Sequence, residues 1–149
     1  MRYIAMLLAT LIGLSLGAAP AAAQDRYGKQ KVVYHIDLDG GQDARYYRGA
    51  MGNIQNHINA VGEANIEIKV VMHGDGVNLV RSAKTDDRLQ ATIASLKGQR
   101  VDFLVCKNTL DGRKIGRDEL YDVDQEDVVP SGVAEISHLQ MQGYTYIKP

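Results

Sequence analysis

Three short apolar runs that begin at Lys31, Ile66 and Val101, each 35 residues from the next, limit the possible folds more than any other feature of this sequence. They span Lys31 to Leu38, Ile66 to Met72 and Val101 to Val105, all of strand length and rich in β-branched residues. Between the first two, Tyr47, Met51, Ile54, Ile58 and Val61 recur at steps of four, three, four and three, which puts them on one face of a helix over Asp43 to Val61. Gly62 is a natural stop for it. Between the second and third, Leu89, Ile93 and Leu96 mark a helix that starts near Asp87. The two helices share no residue pattern, so the spacing reflects βα units rather than a repeat. Strands that alternate with helices imply a parallel sheet buried on both sides, with right-handed crossovers. Beyond the third strand the sequence predicts a short helix over Asn108 to Ile115 interrupted by Gly112 and a very short strand at Val128-Val129. A helix over Val133 to Gln142 follows, capped by Ser131, and then a closing strand over Tyr144 to Ile147.

The N-terminal stretch has a different character. Arg2 precedes an almost wholly apolar run from Tyr3 to Leu16, and Ala21-Ala22-Ala23 supplies the small-x-small pattern that signal peptidase accepts. The run is shorter than the ~20 residues that span a bilayer, so residues 1–23 are expected to be a cleaved signal peptide that leaves no membrane anchor. Residues 24–30 are expected to be loose, residues 31–149 to form one α/β domain, and the product to be periplasmic. Cleavage leaves 16 basic against 18 acidic residues, no excess with which to neutralise phosphates or approach an anionic membrane. With no Trp and one Phe, stacking platforms for bases or sugars are scarce as well, and no nucleic-acid partner is expected.

In an open parallel sheet, ligands gather beyond the carboxyl ends of the strands. Three such ends carry polar or reactive residues: Asp37-Leu38-Asp39, His73-Gly74-Asp75-Gly76 and Cys106-Lys107-Asn108. Cys106 is the only cysteine, so it forms no internal disulfide and is buried, paired between chains, or kept as a reactive thiol. Helix-start amides and the Lys107 ammonium would lower its pKa, and an approach of Asp37 or Asp39 would oppose them. His73 to Gly76 reads either as a tight turn that needs glycine or as an anion cradle, with His73 as a proton partner for Cys106. Leu79 occupies the third glycine position of a dinucleotide fingerprint, which speaks against such a cofactor. His35, Asp37 and Asp39 alternate along the first strand and share one side, but no metal-ligand spacing accompanies them, and no metal or other cofactor is assigned. Neither a G-x-S-x-G elbow nor a P-loop occurs.

The segments KVVYHIDLD, VVMHGDGVNLV, VDFLVCKNTL and VVPSGVAEISHLQMQGYTYIKP, in this order and spacing, resemble the DsrE/DsrF-like family over about residues 31–149. The resemblance implies a DsrE-like, flavodoxin-like layered α/β fold: a central mostly parallel sheet of about five strands with helices on both faces. It also implies homo-oligomers, for which Tyr144 and Tyr146 offer interface contacts, and, in sulfur-trafficking members, a cysteine that carries sulfur as a persulfide. Cys106 matches that cysteine by place, with Lys107 standing where related sequences have a small glycine. The expectation is an exported persulfide carrier or sulfurtransferase accessory acting through Cys106. His73, Gly74, Asp75, Gly76, Asp37, Lys107 and Asn108 would form the pocket, and a sulfur donor or acceptor protein or a small sulfur compound would be the partner. The alternative is a non-catalytic oligomeric module that binds a small ligand, an anion or a metal, with Cys106 inert.

Overall fold

The computed structural model describes residues 26–149, so the expected leader of residues 1–23 lies outside the described residues. The elements are β1 (Gln30–Ile36), α1 (Arg45–Val61), β2 (Ile66–Met72), α2 (Asn78–Ser82), α3 (Asp87–Gly98), β3 (Val101–Cys106), α4 (Lys107–Arg113), β4 (Val128–Val129), α5 (Gly132–Met141) and β5 (Thr145–Ile147). All five strands are parallel, in the order β4-β3-β2-β1-β5. The chain steps from β1 to β4 in one direction, then returns across the whole sheet to lay β5 beside β1. A right-handed crossover that reverses its direction of travel must change face. Hence, among the described residues, α1 to α4 cover one face and α5 covers the other.

The strand side chains divide by parity, as a pleat requires. Val32, Tyr34 and Ile36 of β1, with Val70 and Phe103 of the neighbouring strands, enter the large core under α1 and α3. Val33 and Val71 point the other way, onto Ile136 and Leu139 of α5 and onto Tyr144. The α/β architecture with helices on both faces is as read from the sequence, with the two faces unequally covered.

Boundaries moved where local contacts decide them. β1 ends at Ile36, two residues before Leu38, because its pairing with β2 stops at Met72; Leu38 is half-exposed. The short helix α2 was not foreseen: it follows a 3-10 turn at Gly74–Val77 and is held by the burial of Val77, Leu79 and Val80, a span too brief for periodicity to register. Gly112 does not interrupt α4, which runs to Arg113 and stops where Lys114 turns left-handed at φ 55°. Ser131 caps α5 as expected, its Oγ accepting from the Ala134 N–H at 3.4 Å. Tyr144 is buried and donates to the Glu67 carboxylate, so it is not free to meet a partner as the sequence had implied. Among the described residues, no helix is long and apolar enough to cross a membrane.

Candidate functional site

The connection that leaves β3 goes to one face through α4, and the one that leaves β4 goes to the other through α5. In open parallel sheets, ligands gather where adjacent strands have opposed exits at their carboxyl ends. Cys106, the last residue of β3, stands at that point. One residue beyond the last paired rung of β1 and β2 lie Asp37 and His73, so register alone lines up Asp37, His73 and Cys106 along the edge of the sheet.

Cys106 meets the starts of two helices. It is the residue before α4, and α5 begins beside it at Gly132, where a β-carbon would lie 3.2 Å from Cys106 Cβ and 3.0 Å from His73 Cβ. Any side chain at Gly132 would crowd both neighbours. Burial pushes the thiol pKa up, but the nearby Gly132 N–H, the Thr109 hydroxyl and the N–H groups of Thr109 and Asn108 outweigh it. The net pKa is below that of an ordinary thiol. Thr109 has a second task, since its Oγ1 accepts from the Gly74 N–H at 3.0 Å and so ties the glycine turn to the thiol. The direction of the shift agrees with the sequence reading, but its source differs. The Lys107 ammonium pairs with Asp111 at 2.6 Å, one helical turn on, rather than serving the sulfur, and Asn108 contributes its backbone. The thiol is also less accessible than the sequence implied, with Cys106 only 5% exposed in the single chain.

The glycine turn is built for close packing. A β-carbon on Gly76 would sit 1.9 Å from the Ile36 carbonyl oxygen, and Gly74 has φ 55°. Asp75 is drawn outward to Arg113 at 2.7 Å, and its carbonyl accepts from the Tyr47 hydroxyl at 2.9 Å. These residues form a strand-to-helix turn that needs glycine at both positions.

Histidine and carboxylate chemistry collects beside the thiol. His35 Nε2 lies 2.7 Å from His73 Nε2 and 3.7 Å from Asp37 Oδ2, while His35 Nδ1 meets the Tyr146 hydroxyl at 2.7 Å. His73 is thus engaged by His35 rather than by Cys106. Lys148 reaches Asp37 Oδ2 at 2.8 Å, and Asp37 Oδ1 is buried with no hydrogen-bond partner. Burial, reinforced by the neighbouring His73 and Lys148 against the pull of Asp37, holds the His35 pKa below the usual histidine value. Burial raises the Asp37 carboxyl, but Lys148 and the two histidines more than reverse it, and Asp37 ionises below the ordinary carboxylate range. Asp39 leaves this group altogether: its carboxylate caps Gly41 N–H at 2.9 Å and takes Asn78 Nδ2 at 3.3 Å.

Sequence reasoning located Cys106, His73 and Asp37, but not Thr109, Gly132 or Tyr146. Thr109 sits on the first turn of a helix that starts at the cysteine, and a hydroxyl there can fold back on the residue before the helix. Gly132 and Tyr146 reach the site through the crossover over the second face, which leaves no local trace in the sequence.

The DsrE/DsrF-like family model matches residues 48–149. The solved structure of a protein of unknown function from Methanobacterium thermoautotrophicum is similar at 33% identity, with a TM-score of 0.68, over 81% of this chain and 100% of that one. No curated protein matches the chain significantly.

Proposed function

Because the chain belongs to the DsrE/DsrF-like family, we propose that it is an exported sulfur carrier in which Cys106 accepts sulfane sulfur and passes it on. The observation that carries this reading is the place of Cys106, the residue before α4 and packed against Gly132 at the start of α5, where neighbouring N–H groups and the Thr109 hydroxyl lower its pKa. Such a place favours the thiolate, which is the nucleophile in sulfur exchange. The thiolate attacks the sulfane sulfur of a persulfide or polysulfide, the old S–S bond breaks, the donor leaves as a thiolate, and Cys106 holds the sulfur as a persulfide. No net oxidation occurs and no cofactor takes part. Delivery repeats the exchange with an acceptor thiolate. The small exposure of Cys106 favours a compact inorganic polysulfide over a protein persulfide as donor.

Mass spectrometry of the purified mature protein after polysulfide treatment tests the reading. The expected result is an adduct of about 32 Da per sulfur atom that is absent from Cys106→Ser. An unmodified wild type, or an adduct that survives the substitution, rejects it. N-terminal sequencing of the exported form should begin at Gln24, and a start before Ala18 would refute the cleavage on which export rests.

The burial of Cys106 favours a second reading, a small-ligand-binding module with a structural thiol. Iodoacetamide that labels Cys106 only after unfolding would select it.

A further inference from the structure

The cluster of His35, Asp37 and His73 lies outside the thiol chemistry, and each of its members offers one ligand atom within 4.8 Å of the others. We propose that these three side chains bind a divalent transition-metal ion of the zinc class, as two imidazole nitrogens and one carboxylate oxygen with further positions open to solvent or substrate. The proposal is separate from the sulfur-carrier reading and supplies a ligand class for the binding-module reading.

Four observations support it. First, the donors are right: imidazole nitrogen with carboxylate oxygen suits borderline metals such as zinc, iron and nickel. Second, the spacing is close to what a metal needs. An ion about 2.1 Å from both Nε2 atoms would subtend about 80°, near the octahedral right angle, and parting the rings by about 0.7 Å would give the tetrahedral one. The separation of 3.7 Å from His35 Nε2 to Asp37 Oδ2 is one that a shared ion bridges. Third, His35 has the support that metal-bound histidines carry, because its other nitrogen, Nδ1, is held by the Tyr146 hydroxyl at 2.7 Å. Fourth, Asp37 keeps a buried oxygen, Oδ1, without a partner, while Lys148 occupies Oδ2. Buried carboxylate oxygens are seldom left unpaired.

The fold explains why these residues meet. His35 and Asp37 stand two apart on β1, and so on one side of it. His73 follows the end of β2, and its N–H donates to the Ile36 carbonyl at 3.2 Å, which fixes its position against β1. Metal binding must displace the direct contact between the two imidazoles and outcompete Lys148, whose side chain is 42% exposed and can swing into water.

Isothermal titration of the untagged mature protein with zinc chloride is the test, accompanied by cobalt(II) absorption. One ion per chain with a micromolar or tighter Kd is expected. His73→Gln and Asp37→Asn should each weaken it at least tenfold while circular dichroism stays that of the wild type, and Tyr146→Phe should weaken it by less. Cys106→Ala should leave the affinity within twofold, and the cobalt spectrum should lack sulfur-to-metal charge transfer. Lys148→Ala should tighten binding severalfold by removing the competing cation. No heat of binding at 100-fold excess of zinc over micromolar protein, retention of binding by a folded His73→Gln, or its loss in a folded Cys106→Ala would each overturn the proposal. Because the polysulfide experiment reads mass on Cys106 and this one reads metal affinity, failure of one leaves the other standing.

Discussion

Thr109 is the residue on which the thiol depends most testably. Its hydroxyl lowers the Cys106 pKa and accepts from the Gly74 N–H. Thr109→Val keeps the shape and removes the hydroxyl, whereas Thr109→Ser keeps it. A hydrogen bond to a charged group contributes about 1.5–3 kcal/mol, so the valine variant should raise the Cys106 pKa by about one to two units, while the serine variant leaves it near the wild-type value. The pH dependence of iodoacetamide alkylation measures this, and an unshifted midpoint in the valine variant would dismiss the hydroxyl's role. Lys107→Gly should leave the midpoint in place, because the Lys107 ammonium is spent on Asp111. Gly132→Ala forces a methyl group against His73 and Cys106, an overpacking that costs about 1–3 kcal/mol and should lower the melting temperature. The place of Cys106 was legible in the sequence because an apolar strand gives way there to polar residues. The meeting of His35 with His73 was not, since it depends on which strands are neighbours and on their register, and that information lies in long-range pairing rather than in any local pattern.

Elements were legible in proportion to their length. The helix of α1 and the strand of β2 follow directly from periodicity and β-branching, whereas α2 depends on tertiary burial of a few side chains and gave no signal. The docking of α1 on β1 carries a histidine whose role also escaped notice. His57 Nδ1 lies 2.9 Å from the Tyr34 hydroxyl, and its Nε2 lies 2.7 Å from Gln30 Oε1. One neutral tautomer satisfies both contacts, with Nε2–H donating to Gln30 and Nδ1 accepting from Tyr34, whose own pKa burial raises to about 12. Protonation would place a donor opposite that hydroxyl, and burial already holds the His57 pKa below the usual value. The unfolded chain therefore binds a proton more readily than the folded one. The stability that His57 contributes is present above its unfolded pKa of about 6.5 and is lost as pH falls through the lower folded value. Thermal melts between pH 8 and pH 5 should show this decline, and His57→Gln should flatten it. An equally steep decline in the variant would assign the acid sensitivity to other groups.

At the scale of the whole molecule, the unequal dressing of the sheet asks for a partner. Among the described residues, four helices cover one face and a single helix of ten residues the other. Such a helix is about 15 Å long, against a sheet of five strands spaced about 4.8 Å apart. Part of the remaining strip is closed by charge, with Lys69 bonded to Asp102 at 2.5 Å and Lys31 lying over the Tyr144 ring. The outer side of α5 is different. Glu135 is its only formally charged residue, while Val133 is 65% and Met141 77% exposed, the two most exposed large apolar side chains among the described residues. Tyr146, 42% exposed, stands on the same face of the sheet. Apolar side chains grouped on a surface with little charge have the composition of an interface core rather than of a solvated helix. A second copy of the chain is the expected occupant, meeting α5 and burying on the order of 800 Å² from each partner. Light scattering at micromolar concentration should then give a small multiple of the mature mass, and the double variant Val133→Asp, Met141→Asp should dissociate it without loss of secondary structure. A wild type that scatters as a single chain, or an assembly indifferent to both aspartates, would show that α5 faces water.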